Sequence, residues 1–599
     1  MITFALLALI VCVGISCVPI YLLGRGVFAR AREYFVASEH TRPGVVRNSF
    51  IAYSLQIATF GQFFGWGAKG EFWPAMIFAA MFGAGLYLIH RLRLPMRAFM
   101  SQARERDRSV TVPGFIARQH GNDARVQLIA ATLSVCGFAG LIASAAIGAA
   151  SLVRPVLPGG LNTTFPIACG LLGLMLLYTI PAGNSGAMRS AQALLGILYF
   201  GLIGSTLIVL YMLISSAGKM PPQGMFAVTV LATCCAIVLV YRRSRYIDTS
   251  PIGSPVSGAA TDIKPFGARL FRRFSRIVNE LIAVLAATTL VIALIGLYAQ
   301  GVTAVIAESV SALWAETQTS ISGLLALVLL PIFYPIVDTT NWLRITALEI
   351  DPRSGSRVDT GRIPETFARV LAMYASASAL VWLLICMFGT VAVLATNTPG
   401  GGDVLRSFIV RLASQRNDLA DAASGLLLVS VLAMAVVTSS AMFSAILATI
   451  RYDIIPTVWS NLAPERAQPS NQALARRRAV IAGSSLCVVM LIAWFVLNDN
   501  PSFTNGRFLN LQLACLCAQL AFGPLVLGPL ISGNSAAISP AWAIAVIGSG
   551  VAVGQGVIIV SLQPEHTAWL WSAIPACLGS GLSLYAVARL WTSKTVPEA

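Results

Sequence analysis

The chain has 599 residues, of which 57% are apolar and only 11% are charged. A soluble protein of this length could not bury so much apolar surface, so the composition excludes that class and predicts a polytopic membrane protein. The formal net charge of +17 does not indicate nucleic-acid binding, because the basic residues lie in short connections between apolar runs, where they set membrane topology.

About 15 apolar segments are long enough to cross the roughly 30 Å hydrocarbon core of a bilayer. They begin near residues 2, 49, 72, 124, 164, 188, 225, 278, 321, 367, 425, 480, 510, 540 and 568. An external amino terminus and a cytoplasmic carboxy terminus put most of the 41 lysines and arginines on the cytoplasmic face, as the positive-inside rule requires. We therefore expect a multi-pass protein of the inner (cytoplasmic) membrane.

The segment that begins near residue 49 reads FIAYSLQIATFGQFFGWGAKGEFWP (50–74) and contains Gly65, Gly67 and Gly70. Helix-breaking residues at bilayer depth free backbone groups that only a cavity, an ion or a solute can satisfy. Close helix packing is the alternative role for the glycines. The candidate solute-binding side chains are Gln62, Trp66 and Lys69, although Lys69 could instead extend to the outer interface.

The segment that begins near residue 321 ends in YPIVDTTNWLR (334–344). An ionisable group within a span is costly and by default functional, so Asp338 and the nearby Asn341 are predicted to bind solute. A structural partnership of Asp338 with Lys69 or Arg344 is the alternative. Two interrupted helices in corresponding positions indicate a transporter site built on inverted repeats.

A third polar stretch, TSSAMFS (438–444), lies within an otherwise apolar segment. Hydroxyls on one helical turn can coordinate a desolvated cation, or they can bond back to a carbonyl of the preceding turn. Taken alone, the stretch favours the second role, and only its occurrence beside the two interrupted helices favours a cation site.

Five stretches occur in the order found in the sodium:solute symporter family, and each resembles a motif of that family. They are EYFVAS (33–38), QFFGWGAKG (62–70), TVPGFIARQHG (111–121), DTTNWLRITAL (338–348) and AMAVVTSSAMFSAILATIRYDII (433–455). The chain thus looks like a divergent member of that family, which is built on two inverted repeats of five helices. The resemblance implies an all-α transporter core with two broken helices.

The resemblance also implies a solute site between the two broken helices and a cation site beside it. The carbonyls of Leu55 and Ala58, with the hydroxyls of Thr438 and Ser439, would face the cation. Two departures weaken a sodium site: Val437 stands where the family has a serine, and the stretch MRSAQALLG (188–196) lacks the family's acid. If Na⁺ is not the coupling ion, a proton carried by Asp338 could replace it, or Lys69 could serve as a fixed internal cation.

A third departure is an additional pair of apolar runs, 225–241 and 278–298, between the repeats; we assign this pair to packing or dimerisation. The predicted organisation is an extra helix and cytoplasmic loop (1–46), the first repeat (47–215), the inserted hairpin and its loops (216–319), the second repeat (320–532) and accessory helices (533–599).

These observations favour a secondary active transporter, a cation-coupled symporter that moves a small polar or charged organic solute by alternating access. Lys69 would draw an anionic solute in from outside. The alternative is a transporter-derived sensor that binds solute and signals through a separate partner protein. No catalytic motif, metal-ligand spacing or cofactor motif occurs, so we expect neither an enzyme nor a bound cofactor. Asp453 is expected to be a solvated acid at a helix end.

Overall fold

The computed structural model describes residues 34–36, 43–105, 108–156, 164–216, 321–348, 363–396, 404–415, 418–459, 469–499, 507–532 and 537–595. Within these ranges the chain forms helices joined by short connections, and they contain no strand. The predicted all-α class is confirmed. The segment near residue 2 and the inserted hairpin lie outside the described residues.

Ten described helices are long and apolar enough to cross a membrane, and the count rises to 11 if one bent pair is taken as a single span. That pair is Ile321–Val337 with Thr339–Leu348, bent by 54°. The span predicted near residue 49 is also divided, into two shorter helices. The polytopic architecture predicted from hydropathy is therefore confirmed for the described part of the chain.

The first half of the chain contains seven described α-helices. They are α1 (Pro43–Ser54), α2 (Ile57–Lys69), α3 (Phe72–Arg91), α4 (Arg93–Glu105), α5 (Val112–Gln119), α6 (Ala124–Val153) and α7 (Thr164–Ser216). The long α7 is two spans joined at a kink, where Gly183 has a φ of 58°. A side chain there would also collide with the backbone of Tyr34, because an added Cβ would lie 2.4 Å from its carbonyl oxygen.

The second half repeats the pattern of a divided helix followed by four longer spans. Its helices are α8 (Ile321–Val337), α9 (Thr339–Leu348), α10 (Ile363–Thr396), α11 (Val404–Ser414), α12 (Asp418–Thr449), α13 (Ile455–Val458), α14 (Pro469–Asp499), α15 (Arg507–Leu520) and α16 (Gly523–Ser532). Two further helices close the described chain, α17 (Pro540–Ser561) and α18 (Ala573–Thr595).

Each divided helix packs against a helix from the other half of the chain. Helix α2 of the first divided pair packs on α10, and α8 of the second packs on α3. Glycine permits the second approach, because a Cβ on Gly85 of α3 would lie 2.6 Å from the carbonyl oxygen of Pro331 in α8. Helix α12 packs mainly on α7 and α6 and also contacts α1 and α9, so it lies beside both divided helices. The divided helices are thereby held next to one another near the centre of the bundle.

A π-helical turn, Ile450–Ile454, follows α12 and contains Asp453, which is fully buried. Its carboxylate accepts hydrogen bonds from the Thr111 hydroxyl at 2.5 Å and from the Gln127 amide at 2.9 Å. The prediction that Asp453 is solvated was wrong, because the residue is buried. Its hydrogen-bond partners lie far away in sequence, so the local pattern could not reveal them. Asp453 fixes the beginning of α5 and of α6 to the end of α12.

Candidate functional site

The first divided helix breaks at Leu55 and Gln56, between α1 and α2. Side chains satisfy the backbone groups that the break frees. The Trp382 indole donates to the Ser54 carbonyl at 3.3 Å, and the Ser54 hydroxyl donates to the Ile51 carbonyl at 2.8 Å. Gln56 has an extended backbone, with φ −78° and ψ 149°, and starts α2. The break is thus a fixed element of the structure.

The glycines expected to mark this break lie instead within and at the end of α2. A Cβ on Gly67 would come within 1.6 Å of the Cys386 carbonyl oxygen, and one on Gly389 within 2.1 Å of the Phe64 carbonyl oxygen. Gly70, with a φ of 75°, is the C-cap of α2. Gly67 and Gly389 therefore let α2 and α10 approach closely, and the interruption itself lies more than two turns earlier.

The second divided helix breaks at Asp338, which is fully buried. Its carboxylate caps α9, accepting from the Thr340 backbone N–H at 2.8 Å and from the Thr340 hydroxyl at 2.7 Å. The carbonyls freed at the end of α8 also have donors: the Asn341 amide donates to Pro335 at 3.2 Å and the Trp342 indole to Ile336 at 2.6 Å. Side chains of α9 thus close the end of α8.

Tyrosine hydroxyls join the two breaks. The hydroxyls of Tyr53 and Tyr334 lie 3.2 Å apart; Tyr53 is also a hydrogen-bonding neighbour of Asp338, and Tyr334 of Gln56. The network therefore runs from the start of α2 to the start of α9.

A buried cation, Arg344, lies behind this network. Its guanidinium carbon is 4.5 Å from the centre of the Tyr53 ring, and its Nε donates to Ser49 at 2.7 Å. Arg344 attracts Asp338 electrostatically, and its Nη1 has no hydrogen-bond partner. This charge partly offsets that of Asp338, in line with the structural alternative considered from the sequence.

A cavity of about 120 Å³ opens between the two breaks. Helices α2 and α8 form two of its sides, with α3, α10, α15 and the segment that carries Trp571 around them. Its polar wall comes from Gln56, Thr59, Gln62, Asp338, Asn341 and Gln512, among others. Asn341 Oδ1 and Gln512 Oε1 are buried and have no hydrogen-bond partner within the described part of the chain. The cavity therefore offers unused acceptors to a bound solute.

Aromatic rings form the opposite wall. Phe63 packs edge-on against Trp66 and Phe78, with ring centroids 5.0 and 5.5 Å apart. It also stacks on Trp382 at 5.3 Å. Phe82 then contacts Trp382 at 4.8 Å and Tyr374 at 5.1 Å, both edge-on. All six of these rings line the cavity. We call them the ring wall.

The structure brings most of the predicted solute-binding side chains together. Gln62, Trp66, Asp338 and Asn341 all line the cavity, as does Ala58. Lys69 is exposed at the end of α2 and is not among the lining residues.

The predicted cation-binding residues occupy different places. Leu55 is buried at the first break. The Thr438 hydroxyl is buried and has no hydrogen-bond partner among the described residues. Ser439 lines a separate small cavity with residues of α6 and α7. Ser440 bonds back to the Val437 carbonyl at 2.8 Å, the structural role that hydroxyls on a membrane helix often have.

The sequence analysis did not identify the ring wall or the tyrosine network. Each of those rings lies in an apolar run and is typical of membrane helices when taken alone. A usable signal was present in α2 and α3, where Phe63, Trp66, Phe78 and Phe82 recur at spacings of three and four residues, which places each pair on one helix face.

No protein-family model matches the chain, and no curated protein matches it in sequence. Among solved structures, the chain is similar to a Na⁺-coupled sialic acid symporter in a substrate-bound, outward-open state. The TM-score is 0.57, and the match covers 97% of this chain and 98% of that one. At 13% sequence identity the likeness concerns the fold: the chain has the polytopic all-α architecture of that transporter.

Proposed function

We propose that this protein is a secondary transporter that carries a small organic solute through the cavity between its two broken helices. One observation carries the proposal: both breaks lie at the cavity, and side chains on either side of each break form its wall. Broken helices at a shared cavity are the usual construction of transporter sites, and the likeness in fold to a symporter supports the same function.

In the proposed mechanism, the solute binds against Gln62, Asp338 and Asn341, and access to the cavity alternates between the two sides of the membrane. The solute shifts this equilibrium only through its different affinity for the two states. The tyrosine network would make the cavity respond to helix movement, because a change in the angle between α1 and α8 would separate the hydroxyls of Tyr53 and Tyr334. The proposed orientation has the amino terminus outside and the carboxy terminus in the cytoplasm.

A coupling cation would bind between the first break and α12. The unpartnered hydroxyl of Thr438 and the backbone carbonyls of Leu55 and Ala58 are the proposed ligands, and oxygen atoms of this kind suit Na⁺. The fold neighbour is Na⁺-coupled, which favours Na⁺ here. A proton carried by Asp338 is the second candidate for the coupling ion.

The first experiment measures thermal unfolding of the purified protein across a panel of small solutes, with and without Na⁺, at pH 5.5 and 7.5. A ligand of the native state raises apparent stability by mass action, so no substrate needs to be assumed. Uptake of each stabilising solute into proteoliposomes then tests transport, with Asp338→Asn as the variant. Asparagine caps a helix about as well as aspartate, so this variant should fold yet lose uptake.

Each outcome has a defined meaning. A shift that requires Na⁺ identifies a sodium symporter, whereas a shift that depends on pH but not on Na⁺ identifies proton coupling. Wild-type uptake by Asp338→Asn would remove that carboxylate from the mechanism. Saturable binding with no accumulation inside vesicles would contradict transport and favour a solute sensor.

A further inference from the structure

The charges that line the cavity are of one sign. Among the described residues that line the cavity, Asp338 is the only acid, and none is a lysine, arginine or histidine. Arg344 lies behind Tyr53, and Lys69 is at the exposed end of α2; neither lines the cavity. An anionic solute would therefore lose its hydration at this site without meeting a cation, which is strongly unfavourable at bilayer depth.

The ring wall favours a cationic solute. The face of an aromatic ring carries negative electrostatic potential, so rings attract organic cations, tryptophan most strongly, and several rings around one site form a cage for quaternary ammonium groups. Here Trp66, Trp382 and Tyr374 belong to a continuous set of rings around the same cavity as Asp338. A carboxylate and ring faces together form a site for a cation with an apolar body.

The size of the cavity limits the solute. A volume of about 120 Å³ is slightly below that of the roughly 150 Å³ engineered cavity that binds one benzene molecule. The solute would therefore have on the order of six non-hydrogen atoms.

We propose that the solute is a small organic cation of the alkylammonium class, held between the Asp338 carboxylate and the ring wall. This inference rests on the proposed function, because it names the substrate class of the same cavity. It differs from the solute of the fold neighbour: sialic acid is an anion, whereas the one charged side chain in the described lining of this cavity is itself an anion. It also replaces the expectation that Lys69 attracts an anionic solute.

The test compares two molecules of the same shape that differ in charge. Choline carries a quaternary nitrogen, and 3,3-dimethylbutan-1-ol has carbon at that position and is uncharged. Binding of each to the purified full-length protein is measured by calorimetry at pH 7.5, with tetramethylammonium as a second cation and 4,4-dimethylpentanoate as an anion of similar shape. We expect choline to bind at least about tenfold more tightly than its neutral isostere, because only the cation is attracted both by the Asp338 carboxylate and by the ring faces.

Two variants assign the preference to the cavity. Asp338→Asn should bring the two affinities to within about threefold of each other, because it removes the charge and keeps the helix cap. Trp66→Leu should weaken the binding of choline more than the binding of the neutral isostere, because leucine keeps apolar bulk and lacks a ring face. Trp569→Leu is the control, since that ring is 55% exposed and lies outside the cavity lining.

Equal affinities for choline and its isostere, or no saturable binding of either cation, would overturn the inference. So would tighter binding of 4,4-dimethylpentanoate than of choline. The proposed function would survive these results if proteoliposomes accumulated a neutral or anionic solute. Conversely, tight choline binding without accumulation of any solute would support the cation site and contradict transport.

Discussion

The close approach of α2 to α10 gives the sharpest stability prediction. Gly67→Ala places a Cβ 1.6 Å from the Cys386 carbonyl oxygen and 2.5 Å from its carbon. Ordinary contacts begin near 3.4 Å, so the two backbones must separate by about 1.8 Å. Both contact partners belong to helices and cannot rotate away. Overpacking of this kind costs about 1–3 kcal/mol or more, and we expect a lower unfolding temperature with reduced solute binding.

Gly65→Ala is the matched control on the same helix. A Cβ at Gly65 meets no atom within 4 Å, and alanine favours a helix interior over glycine by up to about 1 kcal/mol. This variant should therefore unfold at the same temperature as wild type or at a higher one. The assay is thermal unfolding in detergent, with tryptophan fluorescence as the readout. Equal destabilisation by both substitutions would refute the packing interpretation. It would favour the earlier expectation that the glycines mark the break in the helix.

Three further predictions concern single buried groups. Thr438→Ala should abolish Na⁺-dependent stabilisation and leave the unfolding temperature in Na⁺-free buffer unchanged. Ser440→Ala is the matched control and should keep the Na⁺ response. If Thr438→Ala also kept that response, the Thr438 hydroxyl would be excluded as a ligand. Asp453→Ala should lower the free energy of unfolding by about 2–4 kcal/mol, since it removes the acceptor of the hydrogen bonds from buried Thr111 and half-buried Gln127, and a loss below about 1 kcal/mol would contradict this. Burial lowers the pKa of His120, so the folded state binds fewer protons there, and stability should fall as pH drops below about 6.5. That loss should shrink in His120→Gln, as a pH series of melts would detect.

Local chemistry explains what could be predicted from the sequence. A span is apolar over its own length, so hydropathy found the helices without any knowledge of their neighbours. The break at Asp338 was also found locally, because an acid, prolines and threonines occur together within a few residues. The break at Leu55 was missed because Ser54, Leu55 and Gln56 include neither glycine nor proline, and because a distant tryptophan on α10 completes it.

Burial at the end of α12 was unpredictable for a similar reason. Asp453 is hydrogen-bonded to Thr111 and Gln127, which are 342 and 326 residues away in sequence. The ring wall likewise combines α2, α3 and α10, whose aromatic residues gain meaning only when the helices pack together. Long-range assembly, rather than local propensity, made these sites.

Two contacts of Trp382 link the size of the cavity to the conformation of the main chain. Its ring stacks on Phe63 in the ring wall, and its indole N–H is the donor to the Ser54 carbonyl at the first break. A solute large enough to turn this ring would leave that carbonyl without its donor, which is unfavourable because Ser54 is buried. The upper limit on solute size is therefore linked to the backbone at residue 54. Enlarging the site by mutation would have to begin at other lining residues, such as Leu327 or Trp571.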